Sequence, residues 1–166
     1  MLIRFVALIL FISFGSIASE DKRVRVYKEV MPEYMPYARC LAGSAARYGV
    51  NEVFLLAVLL QERGPLIGKL SNNNGSYDYG VTGINTVREQ EIRRVGLSLY
   101  DVGTNPCAAL KATAYLLSEE IKSAPSVMAG IGNYHYDIKG EYPHNHYRYR
   151  NQVISKIEKI TKIILN

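Results

Sequence analysis

The chain has 166 residues, 48% of them hydrophobic and 21% charged, with a formal net charge of +5 at pH 7. That balance suits one globular domain around one buried core and excludes a disordered or fibrous chain. The cations are spread along the sequence and concentrate in no tract, which argues against a basic DNA-binding helical protein and leaves an anionic polymer as a suitable target.

The first eighteen residues carry one cation, Arg4, then an uncharged apolar run from Phe5 to Ile12 and on to Phe14, then the small residues Gly15, Ser16 and Ala18. This is the pattern of a secretory signal peptide, and with Ser16 and Ala18 in the small-residue positions, cleavage is expected after Ala18. The apolar stretch is short for a membrane span, so an uncleaved anchor is the alternative. No later segment is apolar enough to cross a bilayer, and no stable span is expected once residues 1–18 are gone. Their removal takes away Arg4 alone and leaves a net charge of +4.

Two cysteines, Cys40 and Cys107, lie far apart in a chain expected in an oxidising compartment, and pairing is expected. Closing so long a loop restricts the unfolded chain by roughly 4 kcal/mol on the entropy model. Two buried free thiols are the alternative. A two-Cys zinc site is disfavoured because the three histidines, at 135, 144 and 146, stand together elsewhere.

Residues 19–36 are charged and carry Pro32 and Pro36, which reads as an arm leading into a domain over 37–166. From Tyr37 the pattern is helical: Ala38, Leu41, Ala45 and Tyr48 recur on one face, and Gly49 is placed to stop the helix. Asn51 is a good N-cap for a second helix whose residues Val53 to Leu60 are apolar nearly all round, the mark of a central core helix. It must end by Gly64-Pro65. The stretch GKLSNNNGSYDYGVTGINT is rich in Gly and Asn and favours tight turns and short strands. Thr86 with Glu89 reads as a capping box for a short helix that Gly96 closes. Asn105-Pro106 is an N-cap and first-turn proline for a helix through about Lys122, with Ala109, Ala112, Tyr115 and Leu116 inward. Pro125 starts another toward Tyr134, and Tyr147 to Ile163 carries Val153, Ile157 and Ile160 at helical spacing, with Ile164 next in the series. The fold class is mainly α, with a small hairpin-like β insertion between the second and third helices.

Glu62 falls in the last turn of the core helix, just before the turn-rich stretch. The negative end of the helix dipole, apolar neighbours and shielding from water each favour its protonated form. An acid still protonated near neutral pH can protonate a glycosidic oxygen. An ordinary polar residue at a helix end is the alternative, and Arg63 folded back onto Glu62 would oppose the shift. Gly75, Gly80 and Gly83, set among polar residues, let backbone approach a sugar's hydroxyl and acetamide groups closely. In GNYHY, a short helix brings Asn133 and Tyr134 toward the same place, and a tyrosine beside the acid can hydrogen-bond it or the sugar. HNHYRYR, residues 144 to 150, reads either as a basic aromatic rim for sugar stacking or as a solvated helix start.

The order ERG, NGSYDYG with GIN, NPC and GNYH, from about Tyr37 to Ile160, resembles the lytic transglycosylases of the lysozyme-like superfamily, closest to the small exported ones that accompany conjugation and type IV secretion machines. The resemblance implies a lysozyme-like, SLT-type domain with the β insertion beside the cleft, and a periplasmic location in a Gram-negative cell. It makes Glu62 the single catalytic acid and base, and matches Gly80, Val81, Thr82, Gly83, Ile84 and Asn85 to a Gly-Leu-Met-Gln-Ile-Asn stretch that lines the glycan groove. Tyr134 matches the tyrosine near the acid, and Cys40 and Cys107 fall where related members pair two cysteines. The implied partners are peptidoglycan glycan strands and components of a secretion or conjugation machine. Two departures stand out: Gly83 replaces a Gln whose amide would contact the glycan, a hydrogen bond worth about 1 kcal/mol, and Arg63 replaces the Ser of many relatives, although members of the closer group also carry Arg-Gly there.

Ordinary glycoside hydrolysis uses two carboxylates. Only Glu62 sits in a convincing site here, and one suffices if the nucleophile belongs to the substrate. The resemblance therefore implies cleavage of the bond from N-acetylmuramic acid to N-acetylglucosamine, with the muramic C6 hydroxyl closing a 1,6-anhydro ring and no metal or organic cofactor needed. The alternatives are a hydrolytic lysozyme that recruits Asp78 as second carboxylate, and a glycan-binding scaffold component without turnover, which Gly83 favours.

Overall fold

The computed structural model describes residue 17 and residues 19–166. Apart from Ile17, the expected signal peptide lies outside the described residues. The structure is mainly helical with one small antiparallel sheet, as expected.

The helices are α1 (Glu20–Val30), α2 (Ala38–Tyr48), α3 (Glu52–Glu62), α4 (Glu89–Arg93), α5 (Leu99–Thr104), α6 (Pro106–Ser123), α7 (Val127–His135) and α8 (Pro143–Leu165). At the centre lies α3, whose Leu55, Leu56, Ala57, Val58 and Leu59 are all buried. It packs against α2, α6 and α8, while α6 also carries α2 and α7. A helix apolar on every face needs neighbours on every side, and these supply them. Asn51 caps α3 by accepting from the Val53 amide at 2.8 Å, and Asn105 caps α6 by accepting from Cys107 at 2.9 Å. Gly49 ends α2 in the left-handed conformation, as expected of a helix-stopping glycine. Cys40 and Cys107 form a disulfide that ties the start of α2 to the start of α6, with Cα atoms 5.3 Å apart.

The segment expected as an arm is part of the domain. Ser19 caps α1, Val26, Tyr27, Val30 and Met31 are buried, and α1 packs against α8. Its charged residues disguise the helix: Asp21, Lys22, Lys28 and Glu29 are exposed, while Arg23 turns inward to pair with the buried Glu52 at 2.7 Å. The capping box expected from Thr86 and Glu89 does not form. The Thr86 hydroxyl is spent on Tyr77, whose amide donates to it at 3.0 Å, and Asn85 caps the 3-10 turn Thr86–Arg88 instead. The box lies further on, where Ser98 and Asp101 exchange bonds at the start of α5.

The insertion is a three-stranded antiparallel sheet in the order β1 (Lys69–Ser71), β2 (Tyr77–Tyr79), β3 (Ile84–Asn85). Asp78 pairs with Leu70 on one side and Asn85 on the other. Gly64 joins the sheet to the end of α3: its amide donates to the Val81 carbonyl at 2.9 Å, and a Cβ built on it would lie 2.2 Å from the Gly80 carbonyl oxygen. Only glycine lets the two backbones meet there.

Candidate functional site

A cleft of about 570 Å³ opens between the sheet and α7, with Glu62, Asp78, Gly83, Asn85, Tyr134 and His135 among its lining residues. Glu62 is the last residue of α3. The chain leaves the helix through Arg63 in the left-handed conformation, φ 44°, so the side chain of Arg63 turns outward, 60% exposed and 3.9 Å from Glu33. The Glu62 carboxyl is thus left without a cation from its neighbour in sequence. Burial pushes its pKa up to about 7; the hydroxyl of Tyr149 pulls the other way and the negative charge of Asp78 adds to the rise.

Tyr149, on α8, donates its hydroxyl to Glu62 Oε1 at 2.5 Å. It is itself buried, and the ring of His135 stacks on it face to face, 4.6 Å between centroids and 5° between planes. Tyr134, the tyrosine expected beside the acid, lines the cleft with Glu62; burial and then the negative charge of Glu62 push its hydroxyl's pKa up, and its ring centre lies 6.5 Å from that of Tyr149. Sequence reading passed over Tyr149 because it stands 87 residues from its partner; the YRY within HNHYRYR held the only hint. That stretch is a helix start, within the first turns of α8, and its second tyrosine faces the acid. Arg88 fixes Tyr134 from behind, donating to its backbone carbonyl at 3.3 Å while paired with Glu91 at 2.9 Å and Glu120 at 3.0 Å.

Across the cleft, Asp78 is gripped by two amides: Asn85 donates to Oδ1 at 2.7 Å and Asn72 to Oδ2 at 3.0 Å. Asn72 and Asn85 also meet at the Ser76 hydroxyl, at 3.1 and 3.0 Å. The NNNGSYD turn is therefore a frame for one carboxylate. Between the two acids sits Gly83, φ 57°, where a Cβ would lie 3.7 Å from Glu62 Oε2 and 3.8 Å from the Asp78 Cβ. A side chain at that position would project into the space between them.

The remaining expected site residues divide. Thr82, Gly83, Ile84 and Asn85 line the cleft, with the Thr82 hydroxyl paired to Thr113 at 2.6 Å. Gly80 and Val81 do not line it; Val81 is fully buried in the core. Asn133 is spent on a turn, accepting from the Ile138 amide at 3.2 Å. Among the described residues, no group of three or more His, Cys, Asp or Glu side chains is arranged to hold a metal, and no helix is long and apolar enough to cross a membrane.

No family model matches the chain. It is 33% identical over 89 residues to Protein IpgF of Shigella sonnei, covering 52% of this chain and 57% of that protein. It is 32% identical over 83 residues to Protein IpgF of Shigella flexneri, covering 49% and 55%. The chain thus spans little more than half the length of the curated relatives it matches.

Proposed function

We propose that this chain is a peptidoglycan lytic transglycosylase of the lysozyme-like superfamily, exported to the periplasm, that opens the cell wall locally where a secretion or conjugation apparatus assembles. The observation that carries the reading is Glu62: an acid held near pKa 7 by burial, at the base of an open cleft, with its carboxyl oriented by a buried tyrosine. Protonated Glu62 donates its proton to the oxygen between N-acetylmuramic acid and N-acetylglucosamine, and the glycosidic bond breaks toward an oxocarbenium-like muramic ring. The resulting carboxylate takes the proton of the muramic C6 hydroxyl, whose oxygen bonds to C1 and closes the 1,6-anhydro ring. Acid becomes base, and the carboxyl returns to its starting state.

Asp78 supports a second reading. A carboxylate braced by two amides opposite the acid, with Gly83 leaving the space between them open, is what hydrolysis through two carboxylates asks for. Incubating wild type, Glu62→Gln and Asp78→Asn with peptidoglycan and reading the released muropeptides by mass spectrometry separates the cases. Anhydro ends from wild type and from Asp78→Asn, but not from Glu62→Gln, are expected. Reducing ends that vanish with Asp78→Asn would make the protein a hydrolase, and no release from folded wild type would make it a binding or scaffold component.

A further inference from the structure

Tyr149 can orient the Glu62 carboxyl only as well as its own ring is held. Its hydroxyl donates to Glu62 Oε1 at 2.5 Å, but a swing about the first side-chain torsion displaces that hydroxyl, at the far end of the ring, more than any other atom of the phenol. Two rings from the last residues of α7 lie against it. The Tyr134 ring is tilted by 32° at 6.5 Å between centroids, whereas the His135 ring lies flat on it, at 4.6 Å and 5°. A ring stacked flat on the phenol blocks the swing that would carry the hydroxyl off the carboxyl.

His135 is itself set on a fixed base. His146 and Tyr149 stand three residues apart on α8 and so share one side of that helix, and both meet α7. His146 is fully buried and fills the notch at Gly132, where a Cβ would lie 2.3 Å from its Cε1. Its Nδ1 lies 3.1 Å from the Tyr136 carbonyl oxygen, which can only accept, so that nitrogen carries the proton. The backbone on both sides of His135 is thereby pinned to α8. What the imidazole offers Tyr149 is its face. Loss of water, and then the charge of Arg148, push its pKa down against the pull of Asp78, which keeps the stacked ring neutral near pH 7. We propose that His135 is a positioning residue: its ring, stacked on Tyr149, holds the phenol hydroxyl on the carboxyl of Glu62. This role rests on the reading of Glu62 as the acid.

The test is a double-mutant cycle of His135→Ala with Tyr149→Phe, together with His135→Phe, which keeps a flat ring. His135 is exposed outside the stack, so its truncation leaves the core intact, and thermal melting checks this. One readout is the titration midpoint of the Glu62 carboxyl by carbon-13 NMR, which needs no substrate; the other is kcat and KM for muropeptide release. Tyr149→Phe should move the Glu62 midpoint upward, and on a His135→Ala background the same change should move it by less than about half as much. His135→Ala should lower kcat about fivefold with KM little changed, and His135→Phe should restore it to within about twofold of wild type. Equal upward steps in both backgrounds overturn the proposal. So does a His135→Phe variant as slow as His135→Ala, which would place the role in the imidazole nitrogens, or a raised KM at unchanged kcat, which would make His135 a sugar contact. If folded wild type releases no muropeptides, the reading of Glu62 as the acid fails, and the titration alone still decides whether His135 holds the hydroxyl in place.

Discussion

A carboxyl group set against apolar neighbours loses the hydration that would stabilise its anion, and at Glu62 that loss outweighs the hydroxyl Tyr149 offers. With a folded pKa near 7 against 4.5 for an ordinary Glu, the native state holds a proton that the unfolded chain has already lost. The stability this confers is full below about pH 4.5 and is lost as pH rises through 7. Glu62→Gln should therefore match wild type in acid and exceed it at pH 8, by up to about 3 kcal/mol in urea titrations. Wall cleavage should fall as pH passes 7, where the acid deprotonates. Tyr149→Phe removes a donor that favours the anion, so the alkaline limb of the pH–rate profile should move upward while turnover drops about tenfold as the carboxyl loses its orientation. Gly83→Gln places an amide between the two acids. The left-handed backbone should cost about 1 kcal/mol of stability, and one new sugar hydrogen bond should lower KM about fivefold.

At the scale of elements, the join between α3 and the sheet carries the site. Gly64→Ala forces a Cβ to within 2.2 Å of the Gly80 oxygen, so the strands must separate from the helix that bears the acid. We expect a loss of about 3 kcal/mol or more and of wall cleavage together, measured by thermal melting and muropeptide release. Much of this framework was legible beforehand, because Asn51, Gly49 and Asn105-Pro106 each mark a boundary through bonds made within a few residues. What escaped was decided at longer range. In α1, Val26, Tyr27 and Val30 bury one stripe of a segment whose charges dominate its composition. Thr86 offered a cap and gave its hydroxyl to a neighbouring strand. The acid was legible from its place at the end of an apolar helix and its surroundings in the chain, whereas Tyr149, its hydroxyl partner, was not, since only packing of α8 on α3 brings them together.

For the molecule as a whole, the disulfide joins two helix starts separated by 67 residues. Replacing both cysteines with serine should lower stability by about 4 kcal/mol on the chain-entropy account, read as a lower denaturant midpoint with a steeper slope, because the denatured chain opens further. The contact between Glu62 and Tyr149 spans 87 residues and draws on α8. On the export proposed here, a chain still being threaded through a channel would present the acid before the group that orients it. On the function proposed here, a cell-wall cutter so arranged stays blunt on its way out, and sharpens only when α8 has docked.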